Sequence, residues 1–172
     1  MEIINKKTVM TQYTLGDILE IDIAFDKLRE SIRCTYLTYL YENDNIKDYF
    51  CSNCDWQKQL IDNHLINVCP IYKYAFERTH DLREDNGHII TVWDYVPHKK
   101  GEEQDLSDFR SSYNIAHGIG IAICKGKCRE SIVFGGHVDD KRFYEKTLKT
   151  EFLSRHLKLF REVISQPKIK EI

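Results

Sequence analysis

Apolar and polar positions alternate most regularly between Tyr113 and Gly136, where the β-rich runs Ile119–Ile123 and Ser131–Phe134 flank a polar connector, Cys124–Glu130. The connector carries Gly126 and has the length of a hairpin loop of five to seven residues, so the two runs are expected to pair as adjacent antiparallel strands. Gly118 and Gly120 stand at the start of the first run, where a side chain would obstruct a tight turn or a close approach of backbone.

Upstream, Leu15, Ile18, Leu19, Phe25, Leu28 and Ile32 recur near helical spacing behind Thr14, a candidate N-cap. They predict one helix, with a break near Ile21–Ile23. Thr35–Tyr41 is rich in aromatic and β-preferring residues and reads as a strand; Glu42–Asn45 is a turn and Ile46–Cys51 a returning strand. Asp55 is expected to cap a helix over Trp56–Ile66, and Pro70 to interrupt the regular structure. Ile71–Phe76 is a short apolar segment of either type, and His80–Gly87 a charged loop ending in the turn dipeptide Asn86-Gly87. Ile89–Tyr95 reads as a strand holding Trp93, and Val96–Glu103 as a loop. A helix opening at Asp105 or Ser107 ends before Gly118.

The last helix opens at Asp139 or Asp140 and runs to a stop at Pro167. Its face is Phe143, Leu148, Phe152, Leu153, Leu157, Phe160 and Ile164. The order is α, β, β, α, β, α, β, β, α. It predicts an α/β fold, a three-layer α/β/α sandwich around a five-stranded antiparallel sheet. Residues 1–13 form a loosely held arm, 14–165 the domain, and 166–172 a tail or the start of a linker.

Composition narrows the function. The 172 residues suit one core, and 42% hydrophobic with 30% charged residues is ordinary for a globular protein. A net charge of −2 and a pI near 6.4 give no electrostatic case for direct nucleic-acid binding. No apolar run is long enough to cross a membrane, and the opening MEIINKKTVM lacks the apolar region of a secretory signal, so a cytoplasmic protein is expected. Six cysteines are then reduced thiols. Cys51/Cys54 and Cys124/Cys128 have the look of metal knuckles, but a zinc site needs both pairs to converge; the simpler reading is small buried side chains and no metal.

Catalysis finds little support. There is no His-Glu-x-x-His pattern, and Gly118-x-Gly120 precedes a strand, whereas a dinucleotide loop follows one. Cys69 beside Pro70 lacks a nucleophile elbow, so an enzyme built on it is the weakest reading. No cofactor is expected. Trp56 and Trp93 serve a core or line an apolar pocket.

From Leu28 to Ile164 the chain resembles the N-terminal autoinducer-binding domain of LuxR-type transcription regulators. Trp56 stands at the family's first tryptophan, Leu60 where an aromatic follows, Cys69-Pro70 at its Asp-Pro, and Trp93 at its second tryptophan. The segment from Phe109 to Ile123 resembles the helix-to-strand stretch, with Gly118 at the family glycine. The resemblance implies a PAS- or GAF-like sensor architecture with a small apolar ligand between sheet and helices, held by Trp56, Leu60, Cys69, Trp93 and Gly118. It implies a homodimer, no membrane, and DNA contact only through a C-terminal domain absent from this chain. In the family, the first tryptophan donates to the lactone carbonyl and the aspartate accepts the amide proton. A Cys69 thiol is a weak acceptor, and losing a charge-assisted bond costs about 1.5–3 kcal/mol, so ordinary acyl-homoserine lactones are expected to bind weakly or not at all. The alternative is a protein-interaction or dimerisation module whose pocket is filled.

Overall fold

The computed structural model describes residues 15–43, 47–82 and 86–169. Helix α1 (Leu15–Ile32) leads into β1 (Cys34–Glu42) and β2 (Lys47–Cys51), then α2 (Cys54–Asp62) and α3 (Pro70–Leu82). β3 (Gly87–Val92) and α4 (Glu102–Ser112) come next, then β4 (His117–Lys125), β5 (Cys128–Gly136), α5 (Phe143–Thr147) and α6 (Thr150–Ile169). The five strands lie in the order β2-β1-β5-β4-β3, every neighbour antiparallel. The expected pairing of Ile119–Ile123 with Ser131–Phe134 is present, with Ile121 opposite Ile132.

Side chains alternate across the sheet, so each strand feeds two cores. Leu37, Tyr39, Ile119, Ile132 and Phe134 pack with Ile21, Ala24, Leu28 and Ile32 of α1 and with Phe143, Leu153 and Leu157 of α5 and α6. Tyr36 on the opposite face joins Trp56, Cys69, Trp93, Leu106 and Ile115. The three-layer sandwich is thus built with α1, α5 and α6 on one face and α2, α3 and α4 on the other. On the first face, Arg161 of α6 holds Glu130 of β5 through both carboxylate oxygens, and Tyr39 donates to the same carboxylate at 2.6 Å.

Several local expectations change. α1 is unbroken, and its buried stripe runs through Ile21 and Ala24 while Leu19 is exposed; the Leu15 and Ile18 side chains lie outside the described residues, as does Thr14. It ends where Arg33 takes a left-handed conformation (φ 56°) and its N–H reaches the Arg29 carbonyl. The cap of α2 is Asn53, whose side chain accepts from the Trp56 N–H, rather than Asp55, and the helix stops at Asp62 before His64 turns left-handed. Pro70 opens a full helix instead of merely interrupting, because its missing N–H is one the first turn leaves unpaired anyway. That helix absorbs Ile71–Phe76 and the first residues of the expected charged loop.

β3 ends at Val92, and Trp93 sits in a 3-10 turn, Trp93–Tyr95, beyond the strand. α4 opens at Glu102, ahead of Asp105. The hairpin connector shrinks to Gly126-Lys127, since Lys125 and Cys128 pair directly; Gly126 supplies the positive φ (55°) that a two-residue turn requires. The final helix is interrupted at Leu148–Lys149, and its second part carries Pro167 within its last turn rather than stopping before it.

His156 of α6 is 9% exposed and stacks on Phe152, and its Nδ1–H donates to the Phe152 carbonyl at 2.8 Å. Burial holds its pKa below the ordinary 6.5, with Arg155 adding to the shift. A histidine depressed in the fold stabilises above the unfolded value and loses that contribution as pH falls through the folded one. The melting temperature is therefore expected to fall from about pH 7 to about pH 5, with a shallower slope in His156→Phe. Parallel profiles in the two proteins, followed by circular dichroism, would remove His156 from the explanation.

Candidate functional site

A cavity of about 250 Å³ lies between the sheet and the layer formed by α2 and α3. The pattern of side-chain sizes explains it. In β4 the residues facing the first core are Ile119, Ile121 and Ile123, whereas those alternating with them are Gly118, Gly120 and Ala122. Across the sheet Gly120 pairs with Thr91 and Val133, and Ala122 with Ser131, so small side chains cluster on one patch. Helices resting on that patch cannot close it, and the gap remains.

The walls come from larger residues. α2 contributes Trp56, Gln57 and Leu60, and α3 contributes Ile71, Tyr72 and Ala75, each set spanning one turn of its helix. Tyr36, Leu40 and Tyr49 close the side toward β1 and β2, and Trp93 and Arg110 the other. Of the five residues singled out by sequence, Trp56, Leu60, Cys69 and Trp93 all line this cavity. Gly118 does not. A Cβ at Gly118 would lie 2.2 Å from Cδ2 and Cε3 of Trp93, so this glycine is the bed on which the indole rests.

Trp93 is fixed from several sides. The Arg110 guanidinium lies 5.0 Å from its ring centroid and the Tyr36 ring 6.5 Å away. The adjacent Asp94 binds His117 Nδ1 at 2.9 Å and accepts from the Tyr144 hydroxyl at 2.9 Å, while Gly118 N–H donates to that hydroxyl at 3.0 Å. Burial raises the Tyr144 pKa, which keeps it a donor. This His–Asp–Tyr cluster straps the Trp93 turn to β4 and α5. Trp56 packs against Tyr113 and Phe109 of the α4 end, with centroids at 5.5 and 5.9 Å.

Sequence reading missed Arg110. It is 8% exposed, lines the cavity, and donates from Nε to the Ile115 carbonyl and from Nη2 to Ser107 Oγ, both at 3.2 Å. No carboxylate pairs with it among the described residues, and burial lowers its pKa from the usual value. It remains a cation at any ordinary pH. An arginine next to exposed Phe109 on a polar helix gives no sequence signal of burial; its spacing from the buried Leu106, four positions back, is the one available hint.

The cysteines do not gather. Cys51 and Cys54 flank the start of α2, Cys124 and Cys128 bracket the far hairpin, and among the described residues no three His, Cys, Asp or Glu side chains are placed to hold a metal ion. Burial pushes the Cys34 thiol up to about 12, which marks it as inert. No helix among the described residues is long and apolar enough to cross a membrane.

No protein-family model matches the sequence, and no curated protein matches it either. Solved structures do resemble the fold. The N-acylhomoserine lactone dependent LuxR family transcription factor CepR2 from Burkholderia cenocepacia aligns over 91% of this chain and 99% of its own, with a TM-score of 0.50 and 9% identity. SdiA, an Escherichia coli protein, in complex with octanoyl-rac-glycerol aligns over 93% of this chain and 69% of its own, with a TM-score of 0.51 and 10% identity. The chain has the fold of the autoinducer-binding domains of LuxR-family regulators.

Proposed function

We propose that this domain senses a small apolar molecule, taken up between the sheet and the α2–α3 layer, as part of a LuxR-type, quorum-sensing-like transcription regulator. The observation that carries the reading is the cavity itself, an apolar space among Trp56, Leu60, Cys69 and Trp93 in a fold shared with a lactone-dependent regulator and an acylglycerol-bound protein. Its volume, about 250 Å³, is just under the roughly 300–1,000 Å³ of drug-sized pockets, which suits one medium-length acyl chain. A filled pocket, as a pure interaction module would have, is disfavoured by that space. The domain acts without catalysis: burial of the ligand completes the second core, and occupancy stabilises the fold or a homodimer by linkage. DNA contact belongs to a further C-terminal domain, and the setting is the cytoplasm.

Cys69 takes the place at which the family carries its aspartate, so the ligand is not an ordinary acyl-homoserine lactone. The reading is tested by filling the space. A Cβ at Gly120 would meet nothing nearer than Val133 Cγ2 at 3.5 Å, so a side chain can start there at ordinary contact distance, and Gly120→Val adds two further methyl groups at a position that lines the cavity. The variant should fold as the wild type does and lose affinity for amphiphiles such as 1-decanol and decanoate. Undiminished binding by the variant would place the ligand elsewhere.

A further inference from the structure

Resting on the reading of the cavity as a ligand site, we propose that its ligand carries an anionic head, a carboxylate on a single acyl chain, and that Arg110 is the residue that binds this head. The cavity is walled mainly by apolar and aromatic groups with Thr38, Gln57, Thr91 and Ser131 among them, and its second guanidinium, Arg129, is paired with Glu42 at 2.6 Å. A guanidinium in such a wall is costly unless an opposite charge reaches it. The described residues supply Arg110 with none in contact. Asp94, the closest candidate by electrostatic influence, has both carboxylate oxygens engaged, one by His117 and one by Tyr144. Of the five N–H donors of Arg110, one is spent on the Ile115 carbonyl and one on Ser107 Oγ. Neither of these bonds uses Nη1, so the terminal fork still has donors for a carboxylate.

The position of Cys69 fits the same chemistry. Cys69 lies on the cavity wall within electrostatic reach of the Arg110 guanidinium. A carboxylate at that position would occupy the cation and repel an anionic ligand; the thiol leaves the charge available. The site's polarity is therefore that of an anion receptor: a buried arginine held against Trp93, an uncharged residue where an acid would cancel it, and an apolar chamber beside both.

The test compares sodium decanoate with 1-decanol, equal in chain length and different in head, by calorimetric titration below the micelle concentration. Wild type is expected to prefer decanoate by on the order of tenfold to a hundredfold, the range for a hydrogen-bonded charge. Arg110→Gln should bring the ratio toward one, and Arg110→Lys, which keeps the charge but not the fork, should leave an intermediate preference. Equal affinities in wild type would overturn the head-group assignment while leaving the cavity as a ligand site. Binding of neither compound would overturn the site and this inference together. The wild-type ratio decides the head-group assignment even where an Arg110 variant does not fold. An unchanged ratio in a folded Arg110→Gln or Arg110→Lys variant would overturn the assignment to Arg110 and leave the head to Arg129, the other guanidinium of the lining.

Discussion

Gly118→Ala is expected to destabilise the domain by about 1–3 kcal/mol, the usual cost of overpacking a filled core, and to lower its melting temperature by roughly 3–10 °C. The new methyl would sit 2.2 Å from two carbons of the Trp93 indole. The ring can yield only toward the cavity it lines. Arg110 lies over it, Tyr36 flanks it, and the neighbouring Asp94 is bound to His117 and Tyr144. Gly120, two residues on along β4 and facing the same layer, gives the opposite result. Its Cβ would have ordinary van der Waals distance to Val133, so Gly120→Ala is expected to be neutral or to stabilise by up to about 1 kcal/mol through reduced backbone entropy. Chemical denaturation of the two variants measures the contrast, and equal losses would show that Gly118 does not support the indole.

Cys69→Asp is expected to invert the ligand preference. A new carboxylate on the cavity wall would accept an amide N–H and would also draw on the charge of Arg110. Affinity for N-octanoyl-homoserine lactone should therefore rise by on the order of tenfold or more, while affinity for decanoate falls by a similar factor. Both changes come from one substitution, so a general loosening of the pocket cannot mimic them. Calorimetry of the folded variant with the two compounds decides it. Unchanged affinity for both would separate Cys69 from the head-group region.

Much of the fold is legible because period-two patterning and turn chemistry act locally. The β4–β5 hairpin follows from Ile119–Ile123, Ser131–Phe134 and Gly126, and the β1–β2 hairpin from the aromatic run before Glu42. Helix limits are less legible, since they depend on which polar group wins the cap: Asn53 takes the Trp56 N–H, and Asp55, the expected cap, lies within the first turn. α3 is hidden because Pro70 reads as a breaker when it is a starter. The cavity could have been read from β4, where isoleucines alternate with Gly118, Gly120 and Ala122, a size asymmetry that leaves one face of the sheet unfilled. Arg110 could not, because its burial depends on Trp93 and Ile115 arriving from other elements.

The central claim, that the space above Gly120 is a ligand site, is tested most directly by thermal unfolding of wild type and Gly120→Val against rising decanoate. A ligand at a hundredfold its dissociation constant stabilises by about 2.7 kcal/mol, which is roughly 5–10 °C for a chain of this size. The wild type is expected to show that rise and the filled variant none. Equal shifts in both proteins, or no shift in the wild type at any concentration below the micelle limit, would contradict it.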